Sequence, residues 1–249
     1  MKAALASVPG CVLFAWPFLG LGLPPDTPAL VLALASVLGL GLVEIGTREL
    51  DSRRLALLAA LAAIDAGLRA VVVTGIGGFS PIFFLVLCAG FVFGPSYGFL
   101  VGATSLLVSA IATGGVGSWV PYQLFASGCV GMLAGVVGLV ARQRAGRYSV
   151  VMLALVGVIT GYAFGALMDI WDWTFFRGAS GLGWVPGLPA AEAASRFARF
   201  YLVTSLAYDS FRAAGNAVLI LALGPAVIAA LARFRARLSF TIVSSPAPQ

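Results

Sequence analysis

Apolar positions along this chain gather into eight runs, at roughly 4–22, 28–45, 54–74, 81–94, 98–113, 120–141, 149–170 and 200–232. A backbone in lipid has no water to satisfy its N–H and C=O groups, so each run is read as a helix. Two runs fall short of the ~20 residues that a perpendicular crossing needs. They flank Gly94-Pro95 and are expected to form a tight helical hairpin. Glycines at 90, 94, 98 and 102 stud this hairpin, and small residues let helices approach closely where no hydrophobic effect drives them together. The last run exceeds one perpendicular span and carries Asp209, Arg212 and Gly215, so it is expected to tilt or to break near Gly215.

The polar positions between the runs are not equivalent. Lys2 precedes the first run, Arg48, Arg53 and Arg54 follow the second, Arg142, Arg144 and Arg147 the sixth, and Arg233, Arg235 and Arg237 the eighth. With eight spans all four clusters fall on one side, and positive residues mark the cytoplasmic side. Both termini are therefore expected in the cytoplasm, with the chain multi-pass in the inner or plasma membrane. The opposite side receives the Pro24-Pro25-Asp26 turn, Gly75 to Ser80 with Phe79, Gly114 to Trp119, and one long loop from Asp169 to about Ala194. Within that loop, 190–199 is expected to lie as an interfacial helix.

Composition agrees with this pattern. Of 249 residues 61% are hydrophobic and 10% charged, against about 25% charged in globular domains. The fold class expected is all-α: a polytopic membrane bundle with two N-terminal spans (1–52), a six-span core (53–238) and a cytoplasmic tail (239–249). The net charge of +6 follows from topology and carries no expectation of nucleic-acid binding. Met1-Lys2 before an apolar run resembles a signal peptide, but Pro9, Pro17 and the Pro24-Pro25 pair make a poor fit and no Ala-x-Ala is convincing as a cleavage site, which favours a retained first span. Cys11, Cys88 and Cys129 sit in apolar runs with neither metal-ligand nor disulfide spacing. The chain has no histidine, which removes the commonest metal ligand and the usual general base. No metal or cofactor is expected. A Walker A motif and a Gly-x-Ser-x-Gly elbow are also absent, so coupling to nucleotide hydrolysis needs another subunit.

Chemistry is left to a few polar and aromatic positions. Asp65 and Arg69 lie four apart in the third run and share a helix face. Ionisable groups at that depth face a bundle interior or a wet cavity. They read either as a polar-ligand contact, Arg69 oriented by Asp65, or as an intrahelical ion pair that fixes packing. Asp209, Arg212 and Asn216 form a second polar stripe, lining the same cavity or bonding between helices. Trp119, Tyr122, Trp171, Trp173 and Trp184 gather at the outer boundary, either as an interfacial belt or as an aromatic-lined pocket for a flat organic ligand. Asp169 and Asp172 put carboxylates among those rings, and Gln123 follows one turn after Trp119. Ala56/Ala60 and Ala59/Ala63 make small-xxx-small pairs, suited to internal packing or to a partner helix.

Taken together, the Ala-rich helix after Arg53-Arg54, Pro81 entering the hairpin, Phe93-Gly94-Pro95 with Gly98-Phe99-Leu100-Val101-Gly102, the stretch from Thr113 to Gln123, and Gly131 and Gly135 resemble the substrate-binding (S) component of energy-coupling factor (ECF) transporters. Asp169-Ile170-Trp171-Asp172-Trp173 also fits, and the resemblance spans roughly 53–238 as six helices, the number usual for these components. It implies a non-enzymatic subunit that captures a vitamin or micronutrient at the outer face. It also implies docking on a transmembrane coupling subunit with two cytoplasmic ATPases. The family's Ala-x-x-x-Ala docking motif then falls on Ala56/Ala60 or Ala59/Ala63. The first two spans lie outside the family's pattern. Ligand residues vary between family members, so the expected site is assembled from Asp65, Arg69, Phe79, Trp119, Gln123, Asp169, Trp171, Trp173, Asp209 and Asn216. The resemblance does not choose a ligand, and the aromatic outer loops leave room for one as bulky as a cobalamin precursor. The competing readings are an ion-coupled secondary transporter or channel, for which paired repeats with interrupted helices would be expected and none is evident, and a purely structural membrane subunit.

Overall fold

The computed structural model describes residues 1–47, 49–72, 82–141, 146–176 and 181–238. These residues form helices and no strand. We number the α-helices α1 (Lys2–Ala15), α2 (Asp26–Gly46), α3 (Ser52–Val72), α4 (Ile82–Phe93), α5 (Pro95–Ala112), α6 (Val120–Val140), α7 (Arg147–Phe175), α8 (Ala190–Thr204) and α9 (Leu206–Leu238). A 3₁₀ turn, Trp16–Leu19, follows α1; Pro17 opens it and Gly20 ends it in the left-handed region. Six of the helices are long and apolar enough to cross a membrane.

The core is built around α4, whose residues Ile82 to Val92 are all buried. A helix that is apolar on every side needs protein on every side, and α5, α6, α7 and α9 all pack against it. Gly94 breaks the chain between α4 and α5 with φ +98°, a conformation that suits glycine, and Pro95 starts α5 at the position where its missing N–H costs nothing. The expected hairpin is present, and glycine holds it against α6. A Cβ at Gly90 or at Gly98 would meet the Gly131 carbonyl oxygen, one at Gly131 the Gly98 carbonyl, and one at Gly138 the Phe91 carbonyl. Dispersion and backbone proximity join these three helices, as expected where lipid offers no hydrophobic drive.

At one end of the bundle the N-terminus, the start of α3, the α4–α5 turn and the end of α9 converge. Lys2 Nζ lies 3.4 Å from Glu44 Oε1, and Arg54 Nη1 lies 3.4 Å from Glu49 Oε2. The Tyr97 hydroxyl donates to the Arg54 carbonyl at 3.1 Å, and Arg235 Nη1 donates to the Val92 carbonyl at 2.6 Å. The opposite end holds the 3₁₀ turn, the start of α6, the end of α7 and α8, and it is rich in tryptophan.

Two expectations change. Asp169–Phe175 is not loop: α7 continues unbroken to Phe175. Its 29 residues span about 44 Å, more than one perpendicular crossing of the ~30 Å hydrocarbon layer needs. The last apolar run is interrupted at Ser205, not near Gly215. The interfacial helix expected over 190–199 extends to Thr204. Gly215 is carried straight through α9 because Arg212 and Asn216, one turn apart, are both tied to carbonyls of α7.

Candidate ligand site between the aromatic end and the buried polar seam

The third helix has two unlike faces. Leu58, Leu61, Ala62, Asp65 and Ala66 are buried, whereas Ala56, Ala59, Ala60, Ala63 and Gly67 are exposed. Asp65 and Arg69 share the inward face, but no hydrogen bond joins them: both Asp65 oxygens and Arg69 Nη1 are buried without a hydrogen-bond partner. Asp65 is turned towards Ser105 of α5, whose Oγ is also buried and unpartnered, so the two do not close a bond of normal geometry. Arg69 lies within electrostatic reach of Tyr208 and Arg212 of α9. A carboxylate without hydrogen bonds in an apolar interior is costly even with the charge of Arg69 nearby, so these residues mark a place where a polar partner belongs.

The α7–α9 seam is the second polar layer, and here the side chains satisfy one another. Arg212 Nη1 pairs with Asp209 Oδ1 and reaches the Gly161 carbonyl at 3.3 Å. Its guanidinium stands 5.2 Å from the Phe164 ring centroid and 4.9 Å from that of Tyr208. Tyr201 of α8 donates to Asp209 Oδ2 at 3.0 Å. Asn216, fully buried, donates from Nδ2 to the Gly157 carbonyl at 2.9 Å and leaves Oδ1 without a partner. Glycine makes the seam possible, since a Cβ at Gly165 would occupy the Asp209 carboxylate. One and a half turns beyond Gly165's neighbour Phe164, Asp169 receives Ser205 Oγ at 2.6 Å and Thr204 Oγ1 at 3.3 Å.

Above the seam the end of α7 turns aromatic rings in two directions. Trp171 and Phe175, four apart, stack at 4.8 Å and face α6, where Tyr122 stands 5.8 Å and Trp119 6.4 Å from Trp171. Trp173 faces away, 5.3 Å from Phe197 of α8, with its Nε1 donating to the Leu182 carbonyl at 2.6 Å. The Trp171 Nε1 is buried with no acceptor. Gln123 lies half-buried in the first turn of α6, one turn from Trp119. Phe79 lies outside the described residues.

The expected site residues thus fall into four groups. Trp119 and Trp171 are brought together, Trp173 heads a neighbouring aromatic group, and Asp169, Asp209 and Asn216 line one seam with Arg212. Asp65 and Arg69 stand on α3, with Arg69 within electrostatic reach of Tyr208 and Arg212 on α9. Sequence reading missed Tyr201, Thr204 and Ser205, which hold the two seam carboxylates, and Phe14 and Phe18, which join the aromatic groups from the N-terminal segment. Hydroxyls near a helix end and phenylalanines in an apolar run give no signal of such roles until the partner helix is in place.

Among the described residues no group of three or more His, Cys, Asp or Glu is arranged to hold a metal. The basic end carries a cleft of about 400 Å³ lined in part by Lys2, Glu44, Glu49, Arg54 and Tyr97, where Lys2 faces Glu44 and Arg54 faces Glu49.

No curated protein and no solved structure matches the chain. The family described as ECF transporter, substrate-specific component, matches residues 53–232, from the start of α3 to near the end of α9. That match covers well over half of the chain and includes both polar layers and the aromatic end of α7. Substrate-specific components are transporter subunits that work with ECF transmembrane and ATPase components on a small-molecule substrate. This multi-pass helical membrane protein belongs to the family of ECF transporter substrate-specific components.

Proposed function

We propose that the chain captures a vitamin or similar micronutrient at its aromatic end and delivers it inward after docking, through α3, on a transmembrane coupling subunit driven by two cytoplasmic ATPases. The observation that carries this reading is the division of α3. One face presents Asp65 and Arg69 to the interior with unpartnered polar atoms, and the other leaves Ala56, Ala59, Ala60 and Ala63 uncovered. A bare alanine stripe in a membrane helix accepts a second helix at close range. In this reading substrate capture and partner docking stand back to back on one element.

The ligand site in this reading is lined by Trp119, Gln123, Trp171 and Trp173 at the mouth and by Asp65, Arg69 and Asn216 below. Asp169 and Asp209 hold the framework through their hydroxyl and guanidinium partners, and Phe79 belongs to the same outer end by its place in the sequence. The basic end faces the cytoplasm, as the positive charges at Lys2, Arg54 and Arg235 favour. Residues 53–238 act as the transport core, 1–52 as an added hairpin, and 239–249 as a cytoplasmic tail.

The test is native mass spectrometry of the detergent-purified protein, with denaturing extraction of whatever it retains. A stoichiometric vitamin-sized molecule, lost in Arg69→Gln and Trp171→Ala while both variants keep the wild-type melting temperature, is the expected result. An empty protein that shows no thermal shift across a vitamin panel overturns the reading. One observation favours a second reading: a fully buried carboxylate without a hydrogen-bond partner is what an ion-coupled carrier also needs. In that case Asp65→Asn abolishes uptake in vesicles that contain no ATPase at all.

A further inference from the structure

The two helices that precede the family match are not an inert addition. α1 lies on α6 so closely that a Cβ at Gly10 would stand 2.7 Å from Phe125 Cβ. One turn later Phe14 packs edge-on against Tyr122 at 5.1 Å, and Tyr122 is the ring that contacts Trp171. The buried Pro17 then starts the 3₁₀ turn, which swings Phe18 to 6.3 Å from Trp173 and 5.3 Å from Trp184. The N-terminal segment therefore touches both of the aromatic groups that the end of α7 carries. Between the two phenylalanines stands Trp16, whose Nε1 is buried with no acceptor, the same condition as Trp171 Nε1.

Close packing alone does not account for this arrangement. Phe18 and Trp119 each keep 40% of their surface exposed and Phe175 keeps 38%, so ring faces remain open around the contacts. Indole N–H groups in a belt at the membrane interface are satisfied by water or headgroups; these two are shielded and still lack an acceptor. Open ring faces beside unpaired donors are complementary to a planar, unsaturated ring system that carries carbonyl or carboxylate acceptors.

We propose that the 3₁₀ turn after α1 forms one wall of the ligand site, with Phe18 as a ring contact and Trp16 and Trp171 as hydrogen-bond donors to an acceptor on a planar ligand. On this account the added hairpin determines specificity: it selects ring-bearing ligands for a core that is otherwise common to the family. The proposal rests on the reading that the aromatic end captures the substrate.

Riboflavin, planar and bearing two ring carbonyls, is the probe, and quenching of its fluorescence on stacking against indole is the readout, with the full-length protein in nanodiscs. Saturable quenching is expected. Phe18→Ala and Trp16→Phe each weaken it about tenfold, the loss of one ring contact or one shielded donor, and both keep the wild-type melting temperature in the absence of the probe. Phe18 is exposed enough that its truncation leaves the fold intact, and Trp16→Phe keeps the ring while removing the donor. Equal affinity in wild type and both variants removes the hairpin from the site and leaves the transport reading standing. No quenching, with biotin, which has no extended planar ring, bound instead, overturns the ligand class and again spares the transport reading. A protein that binds nothing in the panel and purifies empty sinks both.

Discussion

Single residues carry this fold where backbones meet. Gly131 is the clearest case, because any side chain there collides with the Gly98 carbonyl carbon and oxygen, and backbone cannot move aside as a flexible side chain can. Gly131→Leu is expected to cost about 3 kcal/mol or more, the upper range for overpacking a tight interface. It should lower the melting temperature in detergent and separate the α4–α5 hairpin from α6. Gly39, on the exposed side of α2, has nothing within 4 Å of its would-be Cβ. Gly39→Ala should raise stability by about 0.5–1 kcal/mol through helix propensity alone. The Asp209–Arg212 pair makes a different demand. Both groups are buried, so Asp209→Ala strands a guanidinium and is expected to cost about 3–5 kcal/mol. Adding Arg212→Met should restore most of that, as thermal unfolding of the double variant will read; a double variant as unstable as the single one would assign the loss to packing against Gly165 instead. Asp65 makes a lesser demand: it has no hydrogen bond to lose, but its charge offsets that of Arg69 one turn on, so Asp65→Asn is expected to cost less than Asp209→Ala, as thermal unfolding will read.

At the scale of elements, the sequence made the all-helical class and the order of the apolar helices legible, because apolar length is a property of the chain alone. It also located the α4–α5 turn, which Gly94-Pro95 dictates locally. Two boundaries were not legible, for different reasons. Asp169, Trp171, Asp172 and Trp173 look like outer loop by polarity, yet no glycine or proline stands between Met168 and Gly178, and the helix continues as long as nothing breaks it. The interruption at Ser205 has no local breaker either. It occurs where Asp169, 36 residues earlier, takes the Ser205 hydroxyl, and it is a tertiary effect. The short helix α8 is thus held by a small latch, Thr204 and Ser205 on Asp169 and Tyr201 on Asp209. Replacing Ser205 with Ala removes a hydrogen bond to a charged group worth about 1.5–3 kcal/mol. Amide hydrogen exchange should then speed up through 190–204 while α7 and α9 keep their protection. Uniform loss of protection along all three helices would mean that the latch supports the whole seam and not α8 alone.

At the scale of the whole molecule, the helices sort chemistry by height and by side. Basic residues collect at one end, tryptophans at the other, unpartnered polar atoms between them, and the uncovered alanines of α3 on one flank. The orientation this implies is open to impermeant maleimide labelling of intact cells in a Cys11→Ser background. Ala190→Cys at the start of α8 should label directly, and Ser96→Cys beside the α4–α5 turn only after permeabilisation. The flank makes the sharper prediction. α1 and α2 pack on α5 and α6, so the added hairpin leaves the alanine face free. A second helix can approach that face only while its side chains stay small. Ala60→Leu puts an isobutyl group on the surface that a coupling helix would have to meet, and nothing inside the protein moves because Ala60 is exposed. Co-purification with the coupling subunit and ATP-driven uptake should both fall at least tenfold, while affinity for the retained ligand stays within twofold of wild type. The reverse result, binding lost and assembly kept, would place the alanine face in substrate capture and require the coupling subunit to dock elsewhere. The leading alternative surface is then the lipid-facing side of α2, where Val31, Leu38 and Leu42 are exposed. Leu38→Ala with Leu42→Ala would decide whether the added hairpin carries the docking role.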